Sequence, residues 1–207
     1  YTDNDGDFLM LLTNRHLYAV QEDPNNPLAP FYISRKGAIS FGCVSQRAYV
    51  SLGLDSGDAI YLSDHGIHSL RQTQQFGATQ DKMISWKIRP LFRTLNRAQL
   101  QYATGSYSRE EGVVVFAVPT GSDTYNSLLL ILDIKGNPEV TAENARWFTA
   151  RIKPGTTSGQ VTTLFPARSS TGKPYLYGGT VGGDVFRFDD TIQSDFGAAY
   201  ESSFQTS

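Results

Sequence analysis

Four stretches of this 207-residue chain share one plan. FLMLLTNRHLYAV, AIYLSDHGIHSL and PYLYGGTVGGDVFRF each set two apolar runs on either side of a polar or glycine-bearing turn. VVVFAVPTGSDTYNSLLLILDI repeats the plan with a longer loop. With Leu17, Ile67, Leu130 and Val185 as equivalent positions, successive offsets are 50, 63 and 55 residues. A hairpin with apolar residues on both strands cannot bury both faces alone. Stacking neighbours buries them and leaves the polar turns at the rims. Repeats of about 40–50 residues, each a small antiparallel sheet, are the pattern of β-propeller blades, of which about four to eight make a propeller. The chain is therefore expected to be all-β, a partial β-propeller of about four blade-like antiparallel sheets.

Residue usage supports this reading. Twelve Phe, eleven Tyr and nineteen Gly accompany short Val-, Ile- and Thr-bearing runs, a composition that favours strands and tight turns. Strands are predicted over Phe8–Leu12, Leu17–Val20, Arg47–Leu52, Ala59–Leu62, Ile67–Leu70, Gln99–Gly105 and Val113–Val118. Others follow over Leu128–Ile134, Trp147–Ile152, Val161–Phe165, Tyr175–Gly178, Val185–Phe188 and Ala199–Phe204. Most have four to eight residues bounded by Gly, Pro, Asn, Asp or Ser. One segment breaks the pattern: Ser85–Asn96 places Trp86, Ile88, Leu91, Phe92 and Leu95 at near-helical spacing. It predicts one short helix near 85–96, with Ser85 as N-cap and Pro90 kinking or shortening it.

Charge and cysteine usage narrow the function classes. Eighteen Lys and Arg against twenty Asp and Glu leave a formal charge of -2, which gives no electrostatic footprint for nucleic acid. No apolar run reaches the ~18 residues of a membrane-spanning helix. The single cysteine, Cys43, has no partner for an internal disulfide and reads as a small buried hydrophobe. Strand-like patterns run into both ends, so residues 1–207 are expected to be one propeller region cut from a longer chain.

The motifs that could carry chemistry reduce to turns. Asp3, Asp5 and Asp7 in DNDGD alternate as in the first half of a calcium loop, but the positions that need Gly and Glu hold Phe8 and Asn14. Asp and Asn before Gly are what a tight turn requires. His65 and His68, with Asp64 adjacent, would fall on opposite faces of a hairpin, and no third ligand accompanies them. SDHGIHSL loosely resembles a sialidase-type Asp-box but lacks the Ser–Asp spacer, and Leu70 stands where that motif has an aromatic. GGTVGGD has neither a following helix nor a Lys-Ser/Thr pair, so it is no phosphate cradle. Glu110 and Glu111 are adjacent in a turn and read as solvated. Arg89, Arg93 and Arg97, at four-residue spacing, read as a solvated helix face, with contact to a partner subunit as the alternative. No catalytic, cofactor-binding or metal-binding residue is assigned, and the chain is not expected to be an enzyme.

The order of motifs resembles the propeller-bearing tail nozzle, or tail tubular, proteins of short-tailed bacteriophages. In that family a hairpin is followed by Gly-Cys-Val-Ser and Arg, here Gly42, Cys43, Val44, Ser45 and Arg47. A hairpin then ends in an acidic residue, Gly and Ile, here Asp64, Gly66 and Ile67. Pro119, Asn126 and Asp133 match the strand–loop–strand that follows, Trp147 the tryptophan after it, and YGGTVGGDVFRF the Gly-rich hairpin. The resemblance spans nearly the whole chain as an ordered series of short motifs. It implies a structural virion protein of the tail, without cofactor, forming a homo-oligomeric ring, most readily a hexamer. Such rings sit below the portal and adaptor, continue the DNA channel without sequence-specific binding, and carry fibres or spikes. The competing expectation is a carbohydrate-binding or sialidase-like propeller domain, which needs paired carboxyls, or a Tyr nucleophile with an acid, in one site.

Overall fold

The computed structural model describes residues 2–3, 6–13, 16–23, 25–28, 30–38, 41–53, 57–71, 83–136, 139–152, 159–189, 194–195 and 198–199. These form four antiparallel sheets in chain order. The first holds β1 (Thr2–Asp3), β2 (Gly6–Leu12), β3 (His16–Glu22) and β4 (Phe31–Ala38). The second holds β5 (Tyr49–Ser51), β6 (Ala59–Leu62) and β7 (Ile67–Ser69). The third holds β8 (Thr104–Ser108), β9 (Val113–Val118), β10 (Leu128–Asp133) and β11 (Arg146–Ala150). The fourth holds β12 (Val161–Arg168), β13 (Pro174–Thr180) and β14 (Val185–Arg187). A separate two-strand ladder, β15 (Ser194–Asp195) with β16 (Ala198–Ala199), follows. Within each sheet every strand pairs with its neighbour in sequence, so all four are simple meanders.

The second, third and fourth sheets stack face to face in the order of the chain, as blades do, while the first reaches the second through Leu12. Residues alternate between faces along a strand, and the core clusters follow that alternation. Val114, Phe116, Val118, Leu130 and Leu132 of the third sheet join Val50, Ile60, Leu62 and Ile67 of the second. The opposite face of the third sheet, through Val115, Ala117 and Leu129, meets Val161, Leu164 and Leu176 of the fourth. The second sheet turns Ala59 and Tyr61 the other way, onto Cys43, Phe41 and Leu12 at the end of β2. Interior sheets are thus apolar on both faces, which is why VVVFAV and LLLIL read as unbroken apolar runs. The first strands of the last three sheets, β5, β8 and β12, run beside one another. Gly105 in β8 makes that approach possible: a Cβ there would lie 2.7 Å from both Val50 and Phe116.

The four positions aligned in the sequence repeat all lie in the third strand of their sheets: Leu17 in β3, Ile67 in β7, Leu130 in β10 and Val185 in β14. The repeat is real at the level of topology. The short helix also lies where expected, but is only one turn, α1 (Arg89–Phe92), preceded by a 3-10 turn at Trp86–Ile88. Pro90 occupies its first turn, where the missing N–H costs nothing, rather than breaking an interior. Ser85 makes no side-chain cap. Its Oγ instead accepts a 2.9 Å hydrogen bond from the Ile67 N–H of the second sheet.

Two strand assignments change. The expected strand at Gln99–Gly105 is a 3-10 turn over Arg97–Tyr102, and strand begins only at Thr104. Leu100 is drawn into the core between the second and third sheets, which favours the coiled path. β4 was not anticipated, although FYIS alternates between faces as strands do. Of the predicted Ala199–Phe204 strand, Ala199 belongs to β16, and the remainder lies outside the described residues. No helix among the described residues is long and apolar enough to cross a membrane.

Candidate functional site

Several of the residues that carried the family resemblance are engaged at the junctions between sheets. Ser45, just before the second sheet, donates its hydroxyl to the Ala103 carbonyl at the start of the third, 2.8 Å away. The Gly105 N–H donates to the Arg47 carbonyl at 2.6 Å across the same junction. At the next junction Asn126 is the staple. Its Nδ2 donates to the Tyr102 and Val161 carbonyls, both at 2.8 Å, and its backbone carbonyl accepts the Val161 N–H at 2.7 Å. It ties the β9–β10 loop to the 97–102 turn and to the first residue of β12. Trp147 in β11 sends its indole Nε1–H to the Ile84 carbonyl at 2.9 Å, anchoring the helical segment. Asp133 accepts the Lys135 N–H at 2.9 Å and pairs with Arg146 of β11 at 3.0 Å.

The β6–β7 hairpin is a second polar cluster, and here the expected geometry is corrected. His65 and His68 do not part to opposite faces: both rings lie against Phe41, at 4.5 and 5.7 Å between centroids. The alternation rule holds only along extended backbone, and His65 belongs to the turn before β7. His68 is buried and also stacks on Tyr61 at 5.4 Å. Burial lowers its pKa to about 4, with the nearby His65 acting in the same direction and Asp64 opposing it. The ring is therefore neutral near pH 7.

A serine beside a histidine invites a nucleophilic reading, but the hydrogen bonds assign Ser63 otherwise. Its hydroxyl donates to the Gly66 carbonyl at 2.9 Å and accepts the His65 and Gly66 N–H groups at 3.2 and 3.0 Å. The His68 Nε2 also lies 3.2 Å from this Oγ, in a contact whose direction is set by the ring tautomer. The serine is fully buried and closes a turn. His65 Nδ1 sits 2.5 Å from Asp64 at the exposed tip.

Asp58, which sequence reasoning passed over, is a buried carboxylate at the same hairpin. It accepts hydrogen bonds from the Ser69 hydroxyl at 2.6 Å, the Ala59 N–H at 2.7 Å and the Arg71 N–H at 3.0 Å. Three donors on one carboxylate stabilise its charge where it would otherwise be costly to bury. The available signal was a lone Asp directly before a strand in which every residue is buried.

The remaining motifs are turns or surface. Asp3 of β1 pairs with Gly6 of β2, and residues 4–5 of DNDGD lie outside the described residues. In GGTVGGD, Gly183 at φ +85° and the Thr180–Asp184 hydrogen bonds close the β13–β14 hairpin. Glu110 is exposed and Glu111 half-buried in the β8–β9 turn. Arg93 and Arg97 are exposed, while Arg89 lies over the Trp86 ring at 4.9 Å. The helix ends before Arg93, so the three arginines share no helical face. Cys43 is buried, its thiol donating to the Ser45 carbonyl at 3.1 Å, and burial raises its pKa. No group of three metal-ligating side chains occurs among the described residues. No protein-family model matches the chain, and no curated protein is significantly similar to it.

Proposed function

We propose that this chain is a structural component of a bacteriophage tail, a wall segment of the nozzle or tail-tube ring below the portal and adaptor. One observation supports this reading most directly. Ser45, Arg47, Gly66, Asn126 and Trp147, five of the residues through which the sequence resembles that family, lie where one part of the blade stack is joined to the next. They serve cohesion rather than chemistry, as a channel wall requires. In this role the chain is part of a homo-oligomeric ring, most readily a hexamer, that continues the DNA channel and offers its rim turns to fibres or spikes. DNA passes without base recognition, in keeping with the near-neutral charge.

The test is cryo-electron microscopy of the particle that contains this chain. A six- or twelve-fold ring on the DNA channel, with these four sheets in its wall, is the expected result. A discrete monomer with aromatic and charged side chains round a central pocket would overturn it in favour of the carbohydrate-binding reading.

A further inference from the structure

The first sheet reaches the second through a small junction with a histidine at its centre. Leu12 and Phe41 pack on the cluster of Cys43, Ala59, Tyr61 and Leu70, and the Thr13 carbonyl accepts the Cys43 N–H at 3.1 Å. His68 of β7 lies between Phe41 and Tyr61, whose ring planes stand at 15° and 21° to its own. The imidazole is buried, whereas Phe41 is half-buried. The other face of β7 is tied down more firmly. Ile67 joins Val50, Ile60 and Leu62 in the core shared with the third sheet, and its N–H donates to Ser85.

An imidazolium in this position lacks the water it needs. Two flat aromatic faces attract a cation, but they accept none of its in-plane N–H protons. Ser63 Oγ, 3.2 Å from Nε2, already accepts the His65 and Gly66 N–H groups. The surrounding titratable groups do not reverse this. In the turn, His65 disfavours a second positive charge, and Asp64, which is paired with His65, favours it more weakly. The Cys43 thiol and the Tyr49 phenol of β5 both have raised pKa values and stay neutral in acid. Asp58, ahead of β6, is committed to the Ala59, Ser69 and Arg71 donors. His16 of the first sheet stacks on Tyr18.

A protonated ring must therefore reach water, and there are two ways to uncover it. Peeling β7 from its sheet breaks into the larger core. Lifting Phe41 and Leu12 disturbs the small junction alone. We infer that His68 is an acid-sensitive latch: its protonation lifts Phe41 and releases the first sheet from the second, while the second, third and fourth sheets keep their stack. Local opening below the global transition is ordinary in folded chains; here the histidine makes it depend on pH. The inference rests on this junction and is independent of the tail reading.

Cys43 reports on the latch, because its thiol is buried in the same cluster. The 207-residue chain is labelled with dithiodipyridine, which reacts in acid as well as at neutral pH. Each rate is divided by that of a cysteine peptide at the same pH, and amide exchange of β9 and β10 is followed alongside. The covered ring has a pKa of about 4 against an ordinary 6.5 once open, so falling pH favours the open form. Relative labelling is expected to rise at least about tenfold between pH 7 and pH 5, with β9 and β10 still protected. The rise is expected to vanish in His68→Phe and to persist in His65→Gln. His68→Gln takes the place of His68→Phe if the latter does not fold. Wild-type labelling that stays flat with pH overturns the inference. So does loss of β9 and β10 protection in step with Cys43, which would be global unfolding. A rise that persists without His68 overturns it too, since another group would then drive the opening.

Discussion

His68 makes the stability of this fold depend on pH in a window set by its burial. The ring is 2% exposed, stacked between Phe41 and Tyr61. Its pKa falls from an ordinary 6.5 to about 4, chiefly because burial disfavours the charged form. The folded value lies below the unfolded one, so the unfolded chain takes up the proton first as pH falls. Stability is therefore highest above about pH 6.5 and is lost progressively down to about pH 4, below which the loss is complete. At 1.36 kcal/mol per pH unit, the full loss is about 3 kcal/mol, of which about 2 kcal/mol is lost by pH 5. That is a sizeable part of the roughly 5–15 kcal/mol that holds a typical domain. The assay is urea unfolding at a series of pH values for wild type and His68→Phe, whose ring keeps the stack and does not titrate. The other titrating groups are common to both proteins and largely cancel in the difference. The expected result is a stability difference that moves in favour of the variant by about 2 kcal/mol between pH 7.5 and pH 5. A difference constant to within about 0.5 kcal/mol over that range would refute the reasoning, since a solvated or already protonated ring contributes no such slope.

Three further outcomes follow from the junctions between sheets. Gly105→Ala should destabilise by about 1–3 kcal/mol in the same assay, because its Cβ meets Val50 and Phe116 with no room to yield. Asn126→Ala should cost about 2–4 kcal/mol, since it deprives the Tyr102 and Val161 carbonyls of their side-chain donor, and Asn126→Asp should not rescue it because a carboxylate cannot donate. Cys43 should resist a thiol reagent in the native state and react at the rate of unfolding, because its thiol is buried and its pKa raised; rapid stoichiometric labelling under native conditions would contradict the packing.

The sheet meanders were legible in the sequence because their signal is local. An apolar run, a turn and a second apolar run specify a hairpin through neighbouring residues, and the repeat aligned Leu17, Ile67, Leu130 and Val185 onto third strands before any contact was known. The GGTVGGD turn was legible for the same reason: Gly183 at positive φ follows from glycine chemistry.

What only the tertiary structure decided is whatever depends on residues distant in the chain. Tyr102 ends a 3-10 turn instead of lying in a strand because Leu100 enters a core built from three segments and Asn126 takes its carbonyl. Ser85 left its expected cap for the Ile67 amide, and His65 joined His68 on Phe41. No spacing within 207 residues encodes these choices, since each was settled by the partner that stacking brought near. The sequence by itself determined most of the segments that become strands; packing decided which faces were covered and which polar groups became staples.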